Sequence, residues 1–338
     1  MTDVAQHLPS ARRVVFLADD PAGLFDPSVE PFEILLPPAF APSDHRPFAF
    51  ALSSTAYCCF LKSHAVKYLR RTHHQQALIY LDSDTRLYSP PTELLAAIED
   101  HPVVLTPHLL EASRNQPAAS STVQYGTYNA GVIGLGADVE ADRFLTWWSA
   151  QFTDPHRAGT DFLYDQVWLN LVPSLFPGTL VLRHPGYNVA YWNLHERDLS
   201  PVSAASEWSV NGQPLVIFHF SGFRREDAAN LAGKSRPHFP APDPRWAKLG
   251  ISYAERLREF GADVCEQWEY GFARFRDGKC VTPEHRAHYS QRYWTNRLPN
   301  ADPFDPASGQ FGRGLKSLYY VDHPVSRGVR RLKMTRLD

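Results

Sequence analysis

Cysteine is scarce in this chain and badly spaced for chemistry. Cys58 and Cys59 are adjacent, Cys265 and Cys280 stand far off, and no C-x-x-C pair occurs. That excludes the common zinc and dithiol motifs and leaves reduced, buried thiols as the expectation. Long apolar runs are missing as well. None approaches the ~20 residues of a membrane-spanning helix, and the opening MTDVAQHLPS has neither a basic n-region nor a long apolar h-region. A cytoplasmic protein is expected. No sign of charge dominates, because 34 Lys plus Arg face 36 Asp plus Glu for a formal net of −2. Such a balance sets up no field for nucleic acid, so an anionic ligand must be met locally. Nor is there an internal repeat. Core material is plentiful: 43% of the 338 residues are hydrophobic and 13% aromatic, enough for one large domain or two modest ones.

Short apolar stretches alternate with helical patterns through the first two-thirds. VVFL (14 to 17), FEILL (32 to 36), ALIYL (77 to 81) and VVL (103 to 105) read as strands, and the alternation argues an α/β fold. In CCFLKSHAVKYLRR the apolar Leu61, Ala65, Val66 and Leu69 recur at helical spacing, which predicts a crossover helix packed on a sheet. Pro90 and Pro91 open a further helix over TELLAAIED. Residues 109 to 126, polar and rich in small side chains, read as a loop, either over a binding site or plainly on the surface. TYNAGVIGLG (127 to 136) reads as a strand with glycine approach points, followed by helices around 139 to 151 and 162 to 171. Beyond about residue 235 the pattern changes to proline-rich connections, one strong helix over ISYAERLREFG, and irregular aromatic-rich sequence.

The stretch QALIYLDSDTRLY sets two carboxylates, Asp82 and Asp84, where an apolar strand meets a loop that leads to a helix. In open α/β sheets ligands bind beyond the carboxyl ends of strands, and this is such an end. Two confined carboxylates repel each other, and a hard divalent cation bound also to phosphate oxygens relieves that repulsion. The bland alternative is an Asp pair capping the next turn or helix. Haloacid-dehalogenase phosphatases also begin with D-x-D after an apolar strand. Their pattern wants Thr or Val four residues after the first Asp, whereas here Arg86 stands there and Thr85 comes one step early.

Several pieces together resemble bacterial glycosyltransferases of the GT-A fold, related to the family 8 type retaining enzymes. In order they are FLKSHAVKYL, LIYLDSDTRLY, VVLTPH, YNAGVIGL, DQVWLNLVPSLFPG, HPGYNVAYWNL and PLVIFHFSGF, spread over roughly residues 48 to 240. The resemblance implies a Rossmann-like mixed sheet flanked by helices over residues 10 to 240, with 241 to 338 as an extension packed on it. It implies Mn²⁺, or Mg²⁺, held by Asp82, Asp84 and His219 against a nucleotide diphosphate sugar, a donor set that suits such a metal. Donor contacts are implied for Ser83 within the D-x-D, for Lys62, for Asn129, Ala130 and Gly131 of YNAG, and for Gly222 of HFSGF. Similar enzymes place a Lys on the diphosphate six residues after the histidine. Arg225 holds that place here, the usual Lys-Pro-Trp is absent, and Lys234 is an equal candidate. Ala18 and Asp19 fall where similar enzymes bind the nucleobase, although the usual Asn-Tyr pattern is missing.

Asp165 and Gln166 of DQVWLN match the pair that similar retaining enzymes place beside the anomeric carbon. An inverting enzyme would need a base within reach of the acceptor hydroxyl, which Gln166 cannot supply; Asp165 as that base, with inversion, and both residues as plain helix caps are the alternatives. Tyr187, Asn188, Trp192 and Asn193 of GYNVAYWN are expected to stack on and hydrogen-bond a sugar, with core packing as the alternative. The implied activity is transfer of a hexose, from UDP-hexose first among donors, to a glycan, glycolipid or protein acceptor in surface polysaccharide or glycolipid assembly, with retention. No nucleic-acid partner is expected. A haloacid-dehalogenase-like phosphatase and a non-catalytic sugar-nucleotide-binding protein stay open as alternatives. The closing run VSRGVRRLKMTRLD carries Arg327, Arg330, Arg331, Lys333 and Arg336 against the single acid Asp338, a composition that suits peripheral contact with an anionic membrane or a plain solvated tail.

Overall fold

The computed structural model describes residues 1–308 apart from 22, 44, 74–75, 113–115, 153–164, 203–206, 233–242 and 295–301. Lys234 and the basic closing run therefore lie outside the described residues. Helix α1 (Thr2–His7) leads to strand β1 (Val14–Phe16), which pairs in parallel with β2 (Glu33–Leu35). Short helices α2 (Pro37–Phe40) and α3 (His45–Ala51) precede the long α4 (Ser54–Thr72). Strand β3 (Leu78–Leu81) runs into the acidic pair and β4 (Thr85–Leu87) leaves it. Then come α5 (Thr92–Asp100), β5 (Val103–Pro107), α6 (Gln116–Tyr125), β6 (Tyr128–Leu135) and α7 (Val139–Ala150). After a 3₁₀ segment at Asp165–Leu171 follow α8 (Val172–Leu175), β7 (Leu180–Val181), β8 (Leu199–Pro201), β9 (Trp208–Val210), β10 (Gln213–Pro214) and β11 (Ile217–His219). Helices α9 (Pro244–Glu259), α10 (Ala262–Cys265) and α11 (Pro283–Trp294) belong to the final segment.

The architecture is mixed α/β with several sheets. The central one runs β3-β6-β5-β7, with β6 antiparallel to both neighbours and β7 parallel to β5. β5 is buried at every residue and β6 at all but its first, as expected of strands covered on both faces. Separately, β4 pairs antiparallel with β11, and this pairing sets His219 opposite Thr85, one residue beyond Asp84. The strands at VVFL and FEILL form their own two-stranded parallel sheet.

Helix α4 forms as its apolar spacing predicts. Ser53 caps it by accepting from the Ala56 N–H, and Leu61, Ala65, Val66 and Leu69 are all buried. Arg70, buried near its end, donates to the carbonyls of Gln76, Gly136 and Asp138 and pairs with Asp142, so α4 is bolted to the start of α7. On α7, buried Trp148 donates its indole N–H to the Asp165 carbonyl at 3.1 Å. Through that bond α7 positions the segment carrying Asp165 and Gln166.

Three expectations need correcting. The run 109 to 126 is not a loop throughout, because α6 occupies 116 to 125. Pro117 falls in its first turn, where a missing N–H costs nothing, and Ala118 is buried under it. The stretch expected as a helix over 162 to 171 is 3₁₀ at 165 to 171, and 162 to 164 lie outside the described residues. All four cysteines are free, but Cys58, Cys265 and Cys280 are exposed. Cys265 sits on short α10 and Cys280 outside any helix or strand, while Cys58 lies one turn before Lys62 on α4.

Two cores hold the final segment to the rest. Trp246, Leu249 and Tyr253 of α9 pack with Val189, Leu199, Phe218 and Phe220, the Tyr253 ring stacking on Phe220 at 3.7 Å. Phe272, Phe275, Tyr289 and Phe304 join the α3–α4 core around Phe50 and Tyr57. Arg286 fastens this contact by donating to the carbonyls of Ala49, Phe50, Leu52 and Phe272. At the N-terminal end, Asp3 of α1 reaches Arg86 and Arg256, so a unit starting at residue 10 omits a packed helix. No helix among the described residues is long and apolar enough to cross a membrane.

Gly271 of the final segment lies against Asp19 and Asp20, in the loop after β1. Its N–H donates to Asp19 Oδ1 at 2.7 Å, and a Cβ there would stand 2.3 Å from the Asp20 carbonyl oxygen. Backbone oxygen cannot swing aside as a side chain can, so Gly271→Ala is expected to cost about 1–3 kcal/mol. A lowered melting temperature with faster proteolysis around residue 271 checks this; an unchanged melt would show that the two backbones part freely.

Candidate functional site

Asp82 and Asp84 occupy the turn between β3 and β4, with exposed Ser83 between them. The Asp82 N–H donates to the Gly131 carbonyl at 2.8 Å, extending the β3–β6 ladder, and the Phe220 N–H donates to the Asp84 carbonyl at 2.7 Å. The turn is thus held by two sheets at once. One ligand atom from each of Asp82, Asp84 and His219 lies within 4.8 Å of the others. His219 is buried, and its Nε2 is 3.0 Å from Asp84 Oδ1. Burial alone would push the Asp84 carboxyl up, but the hydrogen bond from His219 and its charge outweigh that and hold it below the usual range.

The other half of the site is a buried cation between two anions. Lys62, from α4, reaches Asp82 Oδ1 at 2.9 Å, Asp165 Oδ2 at 2.5 Å and the Ala130 carbonyl at 3.2 Å. Burial would strip its proton, but the Asp165 and Asp82 carboxylates reverse this and hold the ammonium well above its ordinary pKa. Asp165 is itself buried, so neither partner of that pair is shared with bulk water. Tyr80 lies beneath: its hydroxyl donates to Asp82 Oδ1 at 2.7 Å and Lys62 Nζ stands 4.8 Å from its ring. Sequence reasoning passed over Tyr80, although alternate residues of a strand share a face and Tyr80 precedes Asp82 by two.

Gln166 and Asn129 form a polar bridge beside this pair. Asn129 Oδ1 accepts from the Gly131 N–H at 2.8 Å, which turns its amide nitrogen toward Gln166 Oε1 at 3.3 Å and His108 Nε2 at 3.2 Å. Gln166 Nε2 donates to the Tyr125 carbonyl at 2.8 Å, tying α6 to the site. His108 is buried and neutral, its pKa lowered to about 4 mainly by desolvation.

Gly131 faces the centre. A Cβ on it would lie 2.5 Å from His219 Cε1, 2.7 Å from Asn129 Oδ1 and 2.8 Å from Asp82 Oδ2. No side chain fits between the acidic pair and the histidine. Gly131→Ala is therefore expected to push His219 and Asp82 apart and weaken Mn²⁺ binding at least ~10-fold, in line with the cost of misplacing a ligand's supports. Calorimetric titration with Mn²⁺ measures this, and wild-type affinity in that variant would show that the three groups do not act together.

Other residues singled out in the sequence fall elsewhere. Ala18 and Asp19 follow β1; Asp19 Oδ1 accepts from the Gly271 and Asp20 N–H groups, and burial pushes its carboxyl up against those bonds. Gly222 is exposed in a left-handed turn (φ 69°) after β11. Arg225, expected on the diphosphate, pairs with Asp263 and Glu266 on and just after α10. Tyr187 is core: it is 1% exposed, and its hydroxyl donates to Glu93 Oε2. Asn188 and Asn193 are fully buried and bonded internally, so neither offers its amide to a sugar. Trp192 stands edge-to-face against both His108 and His219.

No family model matches the chain. Two uncharacterized proteins of Bacillus subtilis (strain 168) are similar to part of it. YfnF is 26% identical over 153 residues, covering 44% of this chain and 50% of YfnF. YfnD is also 26% identical over 153 residues, covering 43% of this chain and 46% of YfnD. The chain thus spans about half the length of the curated relatives it matches.

Proposed function

We propose that this protein is a metal-dependent glycosyltransferase of GT-A type, which moves a hexose from a nucleotide diphosphate sugar, UDP-hexose first, to a glycan, glycolipid or protein acceptor. The setting is surface polysaccharide or glycolipid assembly. One observation carries the reading: Asp82, Asp84 and His219 converge within 4.8 Å directly beside the buried Lys62–Asp165 pair. The donor set of two carboxylates and an imidazole, with the space that Gly131 leaves open, fits Mn²⁺ and, less well because of the imidazole, Mg²⁺. When bound, such an ion supplies Lewis acidity to a leaving diphosphate.

The chain's own residues do the rest. Lys62 fixes the Asp82 and Asp165 carboxylates relative to each other, so the sugar side of the site is preorganised. Asp165 Oδ2 is taken up by that ammonium, which suits an anion that orients hydroxyl groups better than one that removes a proton. Gln166 cannot act as a base, and its amide oxygen is held in the site by Asn129. These roles support retention of configuration. Arg225 is engaged by Asp263 and Glu266, and Lys62 supplies positive charge directly against Asp82.

A panel of sugar nucleotides with and without Mn²⁺, followed by proton NMR of the released sugar, tests the reading. Metal-dependent hydrolysis of one donor, with its anomeric configuration kept in the first-formed sugar, is expected. Inverted product would end the retaining mechanism. Phosphate release from simple phosphoesters without sugar-nucleotide turnover would favour the phosphatase, and donor binding without turnover the binding protein.

A further inference from the structure

The chain positions His219 through a relay of buried polar groups that ends at a backbone carbonyl. Thr106 Oγ1 lies 3.3 Å from the Val132 carbonyl oxygen. A carbonyl only accepts, so the hydroxyl spends its one proton there and offers a lone pair to its other neighbour. That neighbour is Asn188 Nδ2 at 3.1 Å. The amide nitrogen therefore faces Thr106, and the amide oxygen faces His219 Nδ1, also at 3.1 Å. An oxygen there demands a proton on Nδ1. With the proton on Nδ1, the lone pair of the neutral ring is on Nε2, the nitrogen aimed at Asp84.

The surroundings make this orientation durable. Asn188, Asn193 and His219 are 0%, 0% and 4% exposed, so water does not compete for the amide. Asn188 sits at φ 51°, a left-handed backbone that asparagine, aspartate and glycine tolerate and branched side chains do not. Asn193 buttresses the turn by donating to the Asn188 and His108 carbonyls and accepting from the Ala190 N–H. The Trp192 and His219 rings meet edge to face with centroids 5.2 Å apart.

We infer that Asn188 is a positioning residue that presents His219 Nε2 to a divalent cation, and that Thr106 dictates which way the Asn188 amide faces. This rests on reading Asp82, Asp84 and His219 as metal ligands. Aspartate can accept from Nδ1 whichever way its carboxylate turns, so with aspartate in place Thr106 has nothing left to orient.

The test is Mn²⁺ affinity of the full chain without donor, by calorimetry, with circular dichroism confirming fold. Asn188→Gly relaxes the backbone while deleting the carbonyl and is expected to weaken Mn²⁺ ~10–100-fold, the usual cost of losing a ligand's hydrogen-bond partner. Asn188→Asp is expected to stay close to wild type. Thr106→Val is expected to weaken binding when position 188 is asparagine and to leave it unchanged in the Asn188→Asp background. Should Asn188→Gly fail to fold, the Thr106→Val comparison in the two backgrounds decides alone. Wild-type affinity in Asn188→Gly or in Thr106→Val, with His219→Ala weakened, overturns the positioning role and leaves the metal reading standing. So does an Asn188→Asp protein as weak as Asn188→Gly. Unchanged affinity in His219→Ala overturns the metal reading itself, and the positioning role with it.

Discussion

Asp84→Asn is expected to weaken Mn²⁺ binding and slow donor hydrolysis by roughly 10²–10³-fold, the scale on which one preorganised charge acts in a reacting site. Asp84 is the cleaner of the two acidic positions to test. Its carboxylate meets only His219 among the side chains paired with it, and 41% of its side chain is open to solvent. Asparagine keeps its shape, and the bond from the Phe220 N–H to the backbone carbonyl of residue 84 stays in place. The melting temperature is therefore expected to move little while the metal response collapses. Asp82→Asn would confuse the two, because that carboxylate also answers Lys62 and Tyr80. Titration calorimetry and the donor-hydrolysis assay measure both effects in one preparation. Turnover that kept its Mn²⁺ dependence in the Asp84→Asn protein would remove this residue from the metal set.

Lys62→Met is expected to do the opposite and strike stability first. Its side chain and that of Asp165 are each 7% exposed. Removing one partner of a buried ion pair strands the other, at a cost of about 3–5 kcal/mol. Asp82 softens the loss, since 28% of its side chain reaches solvent and can be rehydrated. For 338 residues, at about 2.1 cal/mol/K of unfolding entropy per residue, each kcal/mol moves the melting temperature by roughly 1.4 °C, so the loss is about 4–7 °C. The double change Lys62→Met with Asp165→Asn removes the stranded anion and is expected to recover much of that loss, though not donor turnover. Scanning calorimetry of the three proteins checks it. A single Lys62→Met variant that melts with the wild type would mean that water hydrates Asp165 despite its burial.

The parts of this protein legible from sequence are those governed by local pattern. Alternation of apolar runs announced the strands that end at Asp82, the spacing of Leu61, Ala65, Val66 and Leu69 announced α4, and both required only nearest neighbours along the chain. His219 was legible through its string HFSGF, which the β4–β11 pairing brings beside Asp84. What could not be read depends on partners distant in sequence. Tyr187 looked like a sugar platform because nothing local reveals that its hydroxyl meets Glu93. Arg225 looked free because its carboxylates come from the final segment. The run 109 to 126 looked like a loop because its serines and threonines have little helical preference of their own, and packing against the 165–171 segment supplies what propensity lacks.

Lys62, lying between Asp82 and Asp165, also bears on how the chain emerges from the ribosome. The acidic turn is synthesised long before β11 delivers His219, and two carboxylates held by a sheet edge would repel each other throughout that interval. Lys62 precedes them in the chain and lies on the first long helix, so its ammonium can screen Asp82 as soon as α4 docks on β3. Asp165 then arrives as the second anion, and the histidine last, closing a loop whose entropy grows only slowly with its length. A nascent chain halted before β11 would hold Lys62, Asp82 and Asp84 but not His219. On this order of assembly, capture of the cation waits until His219, about two-thirds of the way along the 338 residues, has been synthesised.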